Sequence, residues 1–257
     1  MSLTYVIHDV ILDDEDRLLE VIQSVGTGNK VVVLRESELS PALALVNEPS
    51  AIFFVSIECA CLLRRNSVKG FLKFFDLKPS LYLPSMYDRC FCGVRSVFKP
   101  ASMIRWTGEP FFLKPDSGLK IFTGVTIRSE IDLRSALSRC QADSMCLVAP
   151  AVEIIKEWRF WVVDDQIVGG SRYFWDTANR RYDEPIPQDV LRFAEGIVSA
   201  DWQPDDCYTF DVGLSDGGEV RLVEYNCLSV SGLYGVDTQP LFSSIERKLS
   251  RNNLTSV

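Results

Sequence analysis

The chain has 257 residues, enough for one large core or two modest ones, and its 47% hydrophobic and 24% charged content is ordinary for a globular protein. A net charge of −8, with Arg64-Arg65 and Arg180-Arg181 the only adjacent arginine pairs, argues against a nucleic-acid partner, because phosphate-backbone affinity is built from clustered Lys and Arg. No apolar run approaches the ~18 residues of a membrane span, the N-terminus turns acidic at Asp9, and the single histidine, His8, nearly excludes Ser-His-Asp or Cys-His hydrolysis.

The expected location is therefore the cytoplasm, with no membrane partner, and the eight cysteines are expected as reduced thiols. Cys59-Ala-Cys61 and Cys90-Phe-Cys92 are spaced too tightly for the usual structural zinc site, so burial is the expectation for both pairs.

In chain order, Leu3 to Asp9 reads as a strand and Asp13 to Ser24 as an amphipathic helix with Leu18, Leu19, Val21 and Ile22 inward. Strands over Lys30 to Leu34 and Ala51 to Ser56 complete a βαβ rhythm. Gly26-Thr27-Gly28 precedes a strand and lacks a third glycine, so it reads as a helix-ending turn and not as a dinucleotide fingerprint. From Glu58 to about Met103 the pattern is less regular. Lys99-Pro100-Ala101-Ser102 is the expected boundary between residues 1–104 and 105–257.

The second segment opens with a strand that ends at Lys114, where Pro115 forces the chain to leave extended. Asp116-Ser117-Gly118 is a turn and Lys120 follows it. Two lysines about a small-residue turn are either a polyphosphate clamp or two solvated cations. A helix over Ile131 to Cys140, started by Ser129-Glu130, and a strand over Met145 to Ala149 come next. A hairpin follows, Val152 to Val163 and Gln166 to Trp175 about an Asp164-Asp165 turn. Alternation puts Glu157, Arg159 and Trp161 on one face, with Arg172 on the returning arm, and these arginines need anionic company from a ligand or from surface salt bridges.

Gln188 to Ser199 reads as an amphipathic helix, and Tyr208 to Asn226 as a second hairpin about Asp216-Gly217-Gly218. With Gly217-Gly218 as a two-residue turn, Asp211 lies opposite Glu224, and Asn226 shares Glu224's face. Two carboxylates and an amide are hard oxygen ligands suited to Mg²⁺ shared with a phosphate; the other reading is an exposed hairpin whose acids face each other. A last helix spans Leu241 to Leu249, and Ser250 to Val257 is expected to fray.

The order Lys114-Pro with Lys120, Glu157-x-Arg159, Ser171-Arg172, Asp211, then Glu224-x-Asn226 resembles the ATP-grasp superfamily, in particular ligases like the ribosomal-protein glutamate ligases and small phage-type and bacterial members. The resemblance covers about Arg105 to Asp237. It implies an α+β fold of two subdomains sandwiching ATP, preceded by a small βαβ domain. It implies that Lys114 and Lys120 contact ATP phosphates, Glu157 the ribose, and the backbone of Val152 and Glu153 the adenine. By the same resemblance Asp211, Glu224 and Asn226 bind magnesium, while Arg159 and Arg172 face the γ-phosphate or acyl phosphate. The implied activity is ATP- and Mg-dependent joining of a small-molecule or peptide carboxylate to an amine through an acyl phosphate, chemistry that needs no histidine. A small-molecule kinase and a non-catalytic nucleotide-binding protein are the alternatives, and a homodimer is common among similar proteins.

Overall fold

A computed structural model describes residues 2–12, 15–35, 39–173 and 184–254. Contacts divide the chain into two compact units, residues 1–74, 158–210 and 226–257 in the first and residues 75–157 and 211–225 in the second.

In the first unit, β1 (Thr4–His8), β2 (Lys30–Leu34) and β3 (Ala51–Phe54) form a parallel sheet in the order β2-β1-β3. Tyr5, Val6 and Ile7 are fully buried, as the near-continuous apolar run of a central parallel strand requires. Helix α1 (Glu15–Ser24) presents Leu18 and Val21 to the core, but Leu19 is 59% exposed, against expectation, because the apolar stripe is narrower than the cluster of apolar residues in sequence. The Gly26-Thr27-Gly28 segment is the expected turn, closed by the Asn29 N–H donating to the Gly26 carbonyl at 3.2 Å.

Short α2 (Ser40–Ala44) precedes β3, and α3 (Ile57–Arg65) follows it, with the Ser56 hydroxyl accepting from the Cys59 N–H at 3.2 Å as N-cap. The C-terminal helix α7 (Thr238–Leu254) runs through Ser250, where fraying was expected. Its Phe242 ring packs 4.8 Å from Tyr5 and 5.5 Å from Phe54, so α7 closes the sheet's core with Leu241 and Ile245. Fully burying one such side chain contributes about 2–3 kcal/mol.

The first unit also holds a polar network. Lys73 pairs with Asp205 at 2.8 Å and with Asp206, and Lys248 of α7 pairs with Asp206 at 2.7 Å and with Asp164. Burial alone would raise the Asp206 carboxyl, but hydrogen bonds from Asp205, Lys248 and Lys73 hold it far below the usual carboxylate range. Asp205 is displaced the other way, by burial first and then by its hydrogen bond with Asp206.

In the second unit, β4 (Val97–Pro100), β5 (Phe111–Pro115), β6 (Val125–Ile127) and β7 (Met145–Pro150) form an antiparallel sheet in the order β4-β7-β5-β6. Helix α5 (Glu130–Leu137), capped by Ser129, covers it with Leu133 over Leu113, Ile127 and Cys146. Helix α4 (Pro79–Met86) lies in the stretch that reads as irregular. It starts on Pro79 and contains Pro84, and its apolar residues follow no helical period.

The third sheet has the order β11-β10-β8-β9, from β8 (Ile154–Val163), β9 (Gln166–Tyr173), β10 (Cys207–Ser215) and β11 (Val220–Cys227). Helix α6 (Gln188–Val198) precedes β10. Asp164 and Asp165 have φ of 50° and 59°, the paired left-handed values of a two-residue hairpin turn. Among the described residues no helix is long and apolar enough to cross a membrane.

Candidate functional site

Lys114 lies on β5, a strand paired on both sides, between the buried Leu113 and Pro115. Its side chain is 15% exposed and forms an ion pair with Glu224, itself 21% exposed. Burial pulls the ammonium down, but the Glu224 charge and hydrogen bond more than offset it, so Lys114 is raised above the ordinary lysine value. The Lys114 ammonium therefore stays charged near neutral pH. A predicted phosphate ligand and a predicted magnesium ligand thus meet within one unit.

The loop after β5 is pinned at several points. The Ser80 N–H donates to Asp116 at 2.9 Å, and both the Ser117 hydroxyl (3.0 Å) and the Gly118 N–H (2.7 Å) donate to Asp76. A Cβ on Gly118 would sit 2.7 Å from the Leu77 nitrogen, so the backbones approach too closely for any side chain. Lys120 is exposed at the end of this loop with φ of 50°. Asp76 is the site-forming residue that sequence reading misses; it lies 41 positions from Ser117, and nothing local marks it.

The acidic hairpin corrects one expectation. Its turn is not the two-residue Gly217-Gly218 type. The Ser215 N–H donates to the Glu219 carbonyl at 2.9 Å and the Gly218 N–H to the Ser215 carbonyl at 3.0 Å, enclosing Asp216, Gly217 and Gly218 as a three-residue loop. Gly218 has φ of +81°, the left-handed residue that such a loop places before its bulge. Counted strictly from that closing pair, Asp211 meets Val223. The alternation of β11, however, slips by one residue, for Leu222 and Tyr225 are buried while Val223 and Glu224 between them are both half-buried. Asp211 is fully buried, and Asn226 is half-buried. Among the described residues no group of three or more His, Cys, Asp and Glu could hold a metal; two carboxylates with an amide oxygen are a smaller set, of the kind magnesium uses when phosphate and water complete its shell.

Val152 and Glu153 are exposed between β7 and β8, and the Glu153 carbonyl accepts from the Asp216 N–H at 3.0 Å, which ties this link to the acidic turn. Glu157 is half-buried on β8. In the first unit, Arg159 is 3% exposed with its guanidinium carbon 4.9 Å from the Tyr234 ring centroid, a cation–π contact. Arg172 on β9 pairs with Glu184, one of the anionic partners expected for it. Trp161, grouped with them by alternation, is fully buried in the core beneath α7.

A family model for an ATP-grasp domain, the third family of its clade, matches residues 67–245, well over half of the chain. The chain belongs to that family. Solved structures similar to this ATP-grasp protein include a D-cycloserine synthetase, DcsG, at 14% identity and a TM-score of 0.62 over 97% of this chain and 100% of that one. A D-alanine–D-alanine ligase from Bacillus anthracis complexed with ATP is 12% identical with a TM-score of 0.55, covering 98% and 99% of the two chains. The ATP-grasp ligase PsnB complexed with a minimal precursor is 15% identical with a TM-score of 0.51, covering 96% and 99%. At such identities the likeness is one of fold, and the ATP-grasp fold expected from the ordered Lys, Arg, Asp and Glu-x-Asn set is the fold found. No curated protein matches the chain.

Proposed function

We propose that this ATP-grasp protein is an ATP-dependent ligase that joins a carboxylate to an amine through an acyl phosphate, releasing ADP. The observation that carries the reading is the Lys114–Glu224 pair, a cation and an anion held ready in an ATP-grasp chain whose fold is similar to that of a D-alanine–D-alanine ligase complexed with ATP. Lys114 and Lys120 bind the phosphates, the Val152-Glu153 backbone the adenine, and Glu157 the ribose hydroxyls. Arg159 and Arg172 offset the charge that develops on the transferred phosphoryl group.

Asp211, Glu224 and Asn226 would hold magnesium, which when bound neutralises phosphate oxygens. Residues 1–104 serve the acceptor substrates and 105–257 the nucleotide in this reading, although the family match begins within the first of these segments, at residue 67.

The test is ATP turnover with magnesium across a pooled library of amino acids, small acids and peptides, wild type beside Glu224→Ala, with ADP and AMP resolved. ADP release that needs both an acid and an amine and vanishes in the variant is the expected result. Phosphorylated product without an amide would replace the ligase with a kinase. AMP release would replace the acyl phosphate with an adenylate, and tight ATP binding without turnover would leave a binding protein.

A further inference from the structure

All eight cysteines are free thiols, and two pairs share the Cys-x-Cys spacing. Their geometries differ. Cys59 and Cys61 stand on α3, where side chains two positions apart project about 200° from each other around the axis and cannot meet. Cys90 and Cys92 sit in a turn after α4, closed by the Gly93 N–H donating to the Cys90 carbonyl at 3.0 Å. The turn is clamped to β11 by the Phe91 N–H donating to the Leu222 carbonyl (3.0 Å) and the Leu222 N–H donating to the Arg89 carbonyl (2.8 Å). The two sulfurs are 3.7 Å apart, with the Cys90 thiol donating to Cys92, and both also lie against the Val223 carbonyl at 3.7 and 3.9 Å.

We propose that Cys90 and Cys92 are an oxidisable dithiol, a modification site that a hydroperoxide converts to an intramolecular disulfide on the strand segment leading into Glu224. The placement does not depend on the ligase reading. Residues two apart in a turn hold their Cα atoms within the span a disulfide bridges, so closure needs side-chain rotation and not unfolding. Both residues are buried, Cys90 fully and Cys92 with 7% exposure, so Cys92 is the more accessible of the two. The hydrogen bond from Cys90 lowers the Cys92 thiol first and the Lys114 ammonium adds to the lowering, against burial and the Glu224 charge, and the net direction is the one a nucleophilic cysteine requires. By contrast Cys146, whose thiol is hydrogen-bonded with Cys140, is pushed up to about 12 by burial.

The chemistry balances with the peroxide as oxidant. The Cys92 thiolate attacks the O–O bond, taking one oxygen as a sulfenic acid and releasing the other as alkoxide, which collects a proton. The Cys90 sulfur then attacks the Cys92 sulfur, giving up its proton as hydroxide leaves, and the two depart as water. Two electrons pass from the sulfurs to the peroxide, and one alcohol and one water form.

The test treats the reduced full-length chain with hydrogen peroxide, alkylates the remaining thiols, and maps the unreduced digest by mass spectrometry. The peptide holding both cysteines should become lighter by two hydrogens, unalkylated, at doses where the half-exposed Cys61 and Cys140 are still alkylated. Cys90→Ser should trap a dimedone-reactive sulfenic acid on Cys92, and Cys92→Ser should abolish the reaction, with circular dichroism checking that both variants fold. Oxidation of Cys61 or Cys140 before this pair, a Cys140–Cys146 disulfide forming first, or no dimedone adduct on a folded Cys90→Ser protein would each overturn the proposal.

Discussion

Two sets of largely buried lysines share one chemistry and differ in arrangement. Lys73 and Lys248 each sit between two carboxylates, with Asp206 shared by both, so removing any one contact leaves the others in place. Among the described residues Lys114 pairs with one carboxylate, Glu224, and both are residue types able to take a different partner. A lysine enclosed by several fixed anions stabilises architecture. A lysine with one exchangeable anion is available to a ligand, and on the proposed reading that difference separates the structural pairs of Lys73 and Lys248 from the functional pair of Lys114.

The comparison can be broken most decisively at Lys114. On the proposed reading, Lys114→Met lowers the rate of ADP release at saturating ATP by about 10²- to 10³-fold, as loss of one preorganised charge contact does. A variant of normal turnover would remove Lys114 from the chemistry. Lys248→Met should do the opposite. It leaves Asp206 with Lys73 and Asp164 with Arg251 but removes the donor that the two share, and should lower the urea-unfolding free energy by about 1 kcal/mol, while magnesium-dependent turnover by the folded protein stays unchanged.

A smaller effect sharpens the contrast through pH. Asp206 has a depressed carboxyl, so its contribution is present above the usual carboxylate value of about 3.9 and is lost as pH falls below it. Denaturant melts should therefore show stability falling below about pH 4, less steeply in Lys248→Met, with Asp205, displaced upward, offsetting part of the slope. Lys114 is raised, so its contribution is intact below the usual lysine value of about 10.4 and is lost as pH rises beyond it. Equal acid slopes in wild type and Lys248→Met would mean that Lys248 does not hold Asp206 charged.

Where a local rule decides the backbone, sequence suffices. Asp164-Asp165 reads as a hairpin turn and is one, and the βαβ start follows from alternating apolar runs. The second hairpin is harder because Asp216-Gly217-Gly218 suits either a two-residue or a three-residue loop, and only the Ser215–Glu219 closure chooses. Helix α4 is hidden because its apolar residues follow no stripe and its prolines read as breakers. Lys114 and Glu224 stand out by residue type and order, yet their pairing spans 110 positions, and the anchoring of the loop after β5 by Asp76 is likewise a tertiary fact. Leu19 shows the limit of apolar content as a guide, since being hydrophobic does not decide which side of a helix a residue occupies.

The Lys114–Glu224 pair has a consequence for how ligands enter. A divalent cation arriving alone would take Glu224 and leave the ammonium without its counter-ion; a nucleotide arriving alone would take Lys114 and leave the carboxylate facing phosphate. On the proposed reading, the two arriving together would exchange partners and strand nothing, so the pair would act as a charge lock that opens to the metal–nucleotide complex and resists either component, each tightening the other's binding by an equal factor.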